Sequence, residues 1–128
     1  MAGAVDFTSI AQQFVKFYYE QFDTNRGNLG ALYRPHSMLT FEANPSQGVD
    51  AILEKLQSLP FTSVQHRTDT LDAQPSSEDG GILVLVTGAL LVEGSERPMS
   101  FTQTFQLRPD AGTFYVFNDV FRLVYPAA

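Results

Sequence analysis

The 128-residue sequence contains no cysteine and no tryptophan. Without cysteine there is no disulfide, no thiolate zinc site and no cysteine nucleophile, which is typical of proteins in a reducing compartment. Basic residues are scarce, because eight Lys and Arg stand against fourteen Asp and Glu, for a net charge of −6. This balance repels phosphate backbones and anionic lipids. It argues against nucleic acid as a direct ligand and favours a partner with a basic surface.

Targeting signals and long apolar runs are missing as well. The first seven residues (MAGAVDF) lack the basic start and apolar core of a secretory signal peptide. The longest apolar stretch, residues 82–92, contains Thr87 and Gly88 and is too short to cross a bilayer. We therefore expect a soluble, intracellular protein that does not contact membranes.

The common motifs of nucleotide and nucleophile chemistry are also absent. The chain contains no Gly-x-Gly-x-x-Gly loop, no Walker loop and no Gly-x-Ser-x-Gly elbow. Its two histidines, His36 and His66, lack the spacing of metal ligands. The sequence therefore predicts neither a metal nor another cofactor.

Apolar residues make up 44% of the chain and include eleven Phe and five Tyr, enough for the core of one domain over residues 1–128. Asp6 is a good N-cap for a first helix whose apolar residues recur at three- and four-residue steps. A short second helix is expected over residues 29–33, ended by Pro35, and a third between Gly48 and Pro60. Between these two, residues 38–42 predict a short strand.

The second half of the chain changes to a strand pattern, over residues 64–72, 82–92, 99–107 and 114–125. Short turns between consecutive strands predict antiparallel neighbours. In the last strand, Val116, Val120 and Val124 are expected on one face and Phe121 on the other. Because strands that are apolar on both faces need cover on both, we expect a homodimer through the sheet, with Val120 and Phe121 at its interface.

The resulting architecture is an α+β fold in which three helices pack on a strongly bent antiparallel sheet and enclose an open-mouthed cone. Such a mouth is a natural ligand site. His66, inside a predicted strand, could act as a general base oriented by Asp72 or Asp119, or it could be a hydrogen-bonded structural histidine. Residue spacing does not separate these two interpretations.

Several segments together resemble the nuclear transport factor 2 family, and the likeness runs nearly end to end. They are residues 17–23 (FYYEQFD), 32–34 (LYR), 38–42 (MLTFE), 54–56 (EKL), 58–61 (SLPF), 64–66 (VQH), 71–75 (LDAQP) and 116–123 (VFNDVFRL). Segments 72–75 and 118–123 are the most specific to the transport factor, since the cone fold alone is shared with unrelated enzymes.

This resemblance implies a homodimer that binds GDP-bound Ran and phenylalanine-glycine nucleoporins, at nuclear pores and between cytoplasm and nucleus. In the family, a phenylalanine of Ran enters the mouth of the cone and basic residues of Ran pair with an acidic rim. The matching Ran-binding positions are Phe41, Glu42, Leu59, Val64, His66, Glu93, Glu96, Met99, Val120 and Phe121. Phe7 matches the aromatic residue that helps to hold nucleoporin rings. The resemblance implies no catalysis.

Two other functions share the fold. One is a cone-fold dehydratase or isomerase that uses His66 and a pocket aspartate. The other is the small subunit of an mRNA-export heterodimer, which pairs with a larger chain instead of with itself. The presence of Glu42 at the mouth and the expected lack of a second inward-facing acid favour the carrier.

Overall fold

The computed structural model describes residues 6–60, 63–93 and 97–124. Its helices are α1 (Phe7–Thr24), a 3-10 helix (Arg26–Leu32) and α2 (Val49–Gln57). Its strands are β1 (Tyr33–Phe41), β2 (Asn44–Gln47), β3 (Val64–Pro75), β4 (Ile82–Val92), β5 (Met99–Asp110) and β6 (Thr113–Leu123). The predicted α+β fold of helices on an antiparallel sheet is confirmed.

Helix α1 begins where the sequence predicts. The Oδ1 atom of Asp6 accepts a hydrogen bond from the backbone N–H of Ser9 at 3.0 Å, which confirms Asp6 as the N-cap. One side of the helix is buried against the sheet, through Ala11, Val15, Tyr18, Tyr19 and Phe22. The opposite side faces solvent, so α1 is a lid over one face of the sheet.

The six strands form one sheet in the order β2-β1-β6-β5-β4-β3. Strands β3 to β6 pair antiparallel, as predicted. Strand β1 pairs with β6 in parallel, so the first and the last strand of the chain lie side by side within the sheet. We call the side of the sheet under α1 the inner face. Phe101, Phe105 and Leu107 lie there, and each is at most 1% exposed.

The region around β1 differs from the prediction. The 3-10 helix starts earlier than expected, at Arg26, and the strand already begins at Tyr33, so Pro35 lies inside β1. Residues 44–47, for which the sequence predicted no strand, pair back onto β1 as β2. Glu42 and Ala43 make the hairpin turn with φ values of 50° and 73°. Two successive positive φ values are the backbone of a type I′ hairpin turn, an unusual choice for residues other than glycine or asparagine.

The pairing of β3 with β4 contains an irregularity. The pairing register shifts between Thr68 and Thr70, which marks an irregularity of the bulge type. Opposite it, a Cβ atom on Gly88 would lie 1.9 Å from the carbonyl oxygen of Arg67. Only glycine permits this backbone approach, so Gly88 is part of what lets the sheet curl over α1.

A second irregularity reverses the faces of β6. Leu107 pairs with Val116 while Gln106 pairs with Asn118, so Phe117 is an extra residue in β6. Val116 is therefore buried in the core at 0% exposure, whereas Val120 is 46% exposed on the opposite, outer face. The expectation that Val116 and Val120 share a face is wrong, because the extra residue breaks the two-residue period between them.

The outer face carries large apolar side chains without cover in the single chain. Met38, Leu83, Leu85 and Val120 are between 37% and 46% exposed. Leu85 and Val120 both pair with Thr104, so they lie in one row across β4, β5 and β6. Among the described residues, no helix has the length and apolar character that crossing a membrane requires.

Candidate functional site

A chain of five aromatic rings crosses the inner face at the end of the sheet where β1 stops and β5 starts, which we call the rim. The ring of Phe41 stacks on that of Phe121 at 4.5 Å between centroids, and Phe121 stacks on Phe101 at 5.4 Å. Phe101 meets His66 edge-on at 5.6 Å, and His66 stacks on Tyr19 of α1 at 4.1 Å. Three predicted site residues, Phe41, His66 and Phe121, are thus brought together. Phe101, which joins them, was not among the predicted site residues.

These rings pack against one another and do not line an empty hollow. Phe41 is 7% exposed, Phe121 3% and Phe101 1%. Val64 is 4% exposed, and Leu59 and Met99 are partly buried and pack against the same core. Met99 and His66 both pair with Leu90, which places them in one row at the rim. Residues 61–62, next to Leu59 and Val64, lie outside the described residues.

Glu42 follows Phe41 directly and stands at the rim. Its backbone N–H donates to the carbonyl of Phe121 at 3.1 Å, and its Oε1 accepts a hydrogen bond from the backbone N–H of Leu123 at 2.5 Å. Its Oε2 makes no hydrogen bond to any residue in the described part of the chain. One carboxylate oxygen therefore positions the side chain and the other is available to a partner.

Of Glu93 and Glu96, the two further acidic residues matched to the family's acidic rim, the structure describes only Glu93. Glu93 is exposed at the end of β4, and its backbone N–H donates to the carbonyl of Ser63 at 3.0 Å. Glu96 lies outside the described residues. Glu93 stands at the same end of the sheet as Glu42, since Val92 pairs with Val64 at the start of β3.

His66 is held by Asp23, a partner that the sequence does not predict. The Nδ1 of His66 lies 2.7 Å from Oδ1 of Asp23, and the backbone N–H of His66 donates to Oδ2 at 2.9 Å. The His66 side chain is 2% exposed and that of Asp23 18%. Asp72 and Asp119, the orienting residues considered above, are not its partners. No sequence signal connects two residues 43 positions apart that meet because the end of α1 crosses β3.

A cleft of about 530 Å³ opens beside this pair, between α1 and β3. Lys16, Glu20 and Asp69 line it together with Asp23 and His66. Its lining carries charges of both signs and differs from the ring-rich inner face. The imidazole reaches this cleft only at its edge, because Tyr19 and Phe22 cover the ring.

Asp119 is a second inward-facing acid, contrary to expectation. It is 0% exposed and accepts hydrogen bonds from Tyr18 at 3.0 Å, Tyr33 at 2.8 Å and Gln103 at 2.7 Å. Burial raises the pKa of Asp119 to about 6, against the lowering effect of these three donors. Burial, followed by the charge of Asp119, raises the pKa values of Tyr18 and Tyr33 well above the usual range, so both hydroxyls stay protonated and donate.

Val120 and Phe121 lie on opposite faces, which corrects two of the predicted roles. Phe121 belongs to the inner face and the core, so it is not part of an interface formed by the outer face. Val120 belongs to the outer face and does not line the inner mouth with Phe41. Phe7 is partly buried in the first turn of α1 and packs against the core cluster.

Within residues 6–60, 63–93 and 97–124, no three His, Asp or Glu side chains are arranged as metal ligands. Every buried side-chain nitrogen and oxygen of the described residues has a hydrogen-bond partner. The buried polar side chains are therefore satisfied by the protein itself, whereas at the rim the Oε2 of Glu42 has no hydrogen bond to any described residue.

A family model described as "Nuclear transport factor 2 (NTF2) domain" matches residues 10–123. The chain belongs to the nuclear transport factor 2 family. A protein of Emericella nidulans named nuclear transport factor 2 is 68% identical over 123 residues, which cover 95% of this chain and 98% of that one. The Saccharomyces cerevisiae protein of the same name is 56% identical over 124 residues, 97% of this chain and 99% of its own.

Solved structures agree with this family membership. The structure of nuclear transport factor 2 from Cryptosporidium parvum superposes with a TM-score of 0.87 at 44% identity, over 92% of this chain and 94% of that one. A hexachlorocyclohexane dehydrochlorinase of Novosphingobium barchaimii also superposes, with a TM-score of 0.78 at 13% identity, over 92% and 86% of the two chains. The second likeness shows the fold alone, and it places an enzyme in the same fold as the transport factors.

Proposed function

We propose that this chain is a homodimeric carrier that binds GDP-bound Ran and phenylalanine-glycine nucleoporins and takes Ran through nuclear pores into the nucleus, without catalysis. The observation that carries the proposal is the geometry of the rim. Phe41 ends a stack of rings, and Glu42 beside it keeps one carboxylate oxygen free of hydrogen bonds within the described residues. An apolar anchor next to a free charge is suited to a partner that presents a ring and a basic group together.

The magnitudes suit a reversible carrier. Removing a phenylalanine side chain from water contributes roughly 1.5–3 kcal/mol, which alone does not make a specific complex. A charge-assisted hydrogen bond from a basic residue to Glu42 adds about 1.5–3 kcal/mol when it is shielded from water. Since the described rings are already packed, we expect the incoming ring to contact the edge of Phe41 and the partly buried Leu59 and Met99.

The outer face supports the homodimer. Met38, Leu83, Leu85 and Val120 leave a broad apolar surface exposed in the single chain. A second copy placed on this face would cover the same residues in both chains, as a symmetric interface requires. We infer that Val120 lies at this interface and that Phe121 supports it only from within the core.

The test is a binding experiment with nucleotide-defined Ran. Immobilised protein should retain Ran loaded with GDP and should not retain Ran loaded with GTP. Light scattering on the free protein should report twice the mass of one chain. Equal retention of both nucleotide forms, or of neither, would reject the Ran-carrier proposal. A monomer that dimerises only with a larger chain would instead favour the mRNA-export subunit.

The His66–Asp23 pair favours an enzyme as the second candidate. A histidine oriented by a carboxylate is what a dehydratase or isomerase needs for proton abstraction. However, the His66 side chain is 2% exposed and Tyr19 and Phe22 cover its ring, so a substrate carbon has little access to it. We therefore assign the pair a structural role, in which it ties the end of α1 to β3. A purified protein whose turnover of a candidate substrate is lost in His66→Gln would reverse this assignment.

A further inference from the structure

An apolar groove lies at the end of the sheet opposite the rim. It has a volume of about 510 Å³ and lies between one flank of α1, the end of the 3-10 helix and the turn from β5 to β6. Its apolar lining consists of Ile10, Phe14, Phe17, Leu32 and Phe114. A groove of this size is within the range of sites that hold small ligands or single side chains of a partner.

The two rings of α1 in this groove differ in how they are held. Phe14 packs edge-on against Phe105 at 5.6 Å and lies against Tyr18 at 6.0 Å, so its ring is fixed by the core. Phe17, one turn further along, is 46% exposed and makes no ring contact within the described residues. A single exposed ring is ordinary, but an exposed ring on the wall of a concave apolar surface suits an apolar occupant.

Among the described residues, no charged side chain lines the groove. Its polar lining, Gln13 and Thr113, is neutral, in a chain with 22 charged residues, eight basic and fourteen acidic. The basic partner that we expect at Glu42 would gain nothing electrostatic here. Charge complementarity instead favours a neutral segment that carries an aromatic side chain.

Access to the groove is open at the β5–β6 turn. Gly112 has a φ of 85°, and a Cβ atom placed on it would meet no atom of the described residues within 4 Å. The turn therefore leaves free space beside Phe114, through which an extended peptide can pass.

The groove is also continuous with Phe7. At about 100° per residue, Phe7, Ile10, Phe14 and Phe17 fall within about 80° of one side of α1. At about 1.5 Å per residue, the Cα atoms of Phe7 and Phe17 lie about 15 Å apart along the helix axis. The position assigned to nucleoporin rings and this groove therefore form one apolar strip on a single protomer.

We propose that this groove is a second aromatic subsite, which takes another phenylalanine of the same neutral, glycine-rich chain that docks at Phe7. The inference rests on the proposed nucleoporin binding and specifies how one protomer engages two rings. Two weak subsites about 15 Å apart raise the effective concentration of the second ring while each ring still leaves quickly. Because the strip lies away from the rim, rings on it do not compete with a partner at Glu42.

Synthetic peptides test the proposal on the full-length dimer. The probes are neutral Gly-Ser peptides that contain one Phe-Gly, two Phe-Gly separated by ten residues, or no Phe. A ten-residue spacer reaches about 33 Å when extended and so spans the two subsites. NMR follows the methyl groups of Leu32 for the groove and the backbone amide of Thr8 for the Phe7 position. Calorimetry measures the affinity of each peptide.

We expect both phenylalanine peptides to shift Leu32 and Thr8, and the peptide without Phe to shift neither. The two-ring peptide should bind about tenfold more tightly than the one-ring peptide. Phe17→Ala should abolish the Leu32 shift and remove this gain while it leaves the Thr8 shift. Leu91→Ala, which removes a similarly exposed apolar side chain at the rim, should change neither reporter.

The opposing outcomes are distinct. Thr8 shifts without Leu32 shifts would overturn the second subsite and leave nucleoporin binding standing. If neither the Leu32 nor the Thr8 signal shifts, both the second subsite and the nucleoporin part of the proposed function are overturned. The binding of Ran is tested separately, by the retention experiment with nucleotide-defined Ran. Leu32 shifts that follow protein concentration without peptide would show that a second copy occupies the groove and would also overturn the proposal.

Discussion

Asp119 and Val120 are neighbours in β6, yet each stands where the other would be expected. The charged residue is 0% exposed on the inner face, and the apolar residue is 46% exposed on the outer face. The inner face tolerates the carboxylate because Tyr18, Tyr33 and Gln103 all donate to it. The outer face tolerates Val120 in the single chain but gains nothing from it until another surface covers it.

This contrast separates the interactions that are satisfied within one chain from those that need a partner. Every buried side-chain nitrogen and oxygen of the described residues has a hydrogen-bond partner, so the polar side chains of the inner face are satisfied within one chain. The outer face, by contrast, exposes large apolar side chains, and Glu42 keeps a carboxylate oxygen without a hydrogen bond to any described residue. The residues expected to act in recognition are those whose apolar surface or hydrogen-bonding atoms have no partner among the described residues of one chain.

The largest expected effect comes from Asp119→Ala. The change removes the carboxylate that accepts from Tyr18, Tyr33 and Gln103 and opens a small cavity, and of these contacts only the one between the two tyrosine hydroxyls, at 2.6 Å, remains. We expect the free energy of unfolding to fall by about 3 kcal/mol, as for other broken buried polar networks. Urea denaturation followed by circular dichroism measures it.

Asp119→Asn is the matched control for that variant, because it keeps the volume and one acceptor oxygen. It should lose clearly less stability than Asp119→Ala. If both variants unfold at the same urea concentration as the native protein, the inner network does not stabilise the fold and the contrast with Val120 fails.

Val120→Glu probes the outer face directly. In a dimer it would bury a charge without a partner, so we expect the dissociation constant of the dimer to rise at least about 100-fold, or roughly 2.7 kcal/mol. The single chain should stay folded, since position 120 is half-exposed there. Sedimentation at low protein concentration measures the mass.

The control is Gln57→Glu, which adds the same charge on an exposed position of α2. It should leave the dimer intact. A Val120→Glu protein that keeps the native mass at every concentration would mean that the outer face is not the interface.

Glu42→Lys tests the role of the Glu42 carboxylate, one oxygen of which has no hydrogen bond to a described residue. Reversing the charge should lower the affinity for GDP-loaded Ran by at least about 30-fold, roughly 2 kcal/mol, because a basic partner would then face a lysine. The dimer should be unaffected. Calorimetry with GDP-loaded Ran gives the affinity.

Two further variants locate the effect at the rim. Glu42→Gln keeps an acceptor for the Leu123 N–H and should fall between the native protein and Glu42→Lys. Glu54→Lys changes charge equally on the exposed side of α2 and should bind Ran as the native protein does. Equal losses of affinity in Glu42→Lys and Glu54→Lys would indicate a general charge effect and contradict the site.

Local features of this fold were predictable from the sequence, because they depend on neighbouring residues. The Asp6 cap and the apolar stripe of α1 follow from spacing alone. In β5 the inward positions Met99, Phe101, Phe105 and Leu107 have a gap at residue 103, where Gln103 is 4% exposed. That polar residue in an apolar row was a usable signal for a buried polar partner such as Asp119.

Other features depend on contacts that spacing does not encode. The parallel pairing of β1 with β6 and the His66–Asp23 contact join distant segments. The extra residue Phe117 places Val116 and Val120 on opposite faces of the sheet, and nothing in the local sequence pattern predicts it. The structure brings Phe41 and His66 together as the candidate site requires, while the face of Val120 and the partner of His66 differ from the prediction.

The smallest expected effect is a dependence of stability on pH that comes from Asp119. Its pKa is about 6 in the folded chain and near 3.8 when unfolded, so between these values the folded state holds a proton that the unfolded state lacks. Stability from this group therefore rises as pH falls through about 6 and levels off below about 3.8. From pH 7 to pH 5 the native protein should gain about 1 kcal/mol relative to Asp119→Asn, which has no titrating group there. Because exposed carboxylates such as Asp69 and Asp79 titrate alike in both proteins, urea denaturation of the pair at the two pH values isolates Asp119. If the difference in free energy of unfolding between the two proteins is the same at both pH values, or favours the native protein more at pH 7, burial does not raise the pKa of Asp119 and the prediction is wrong.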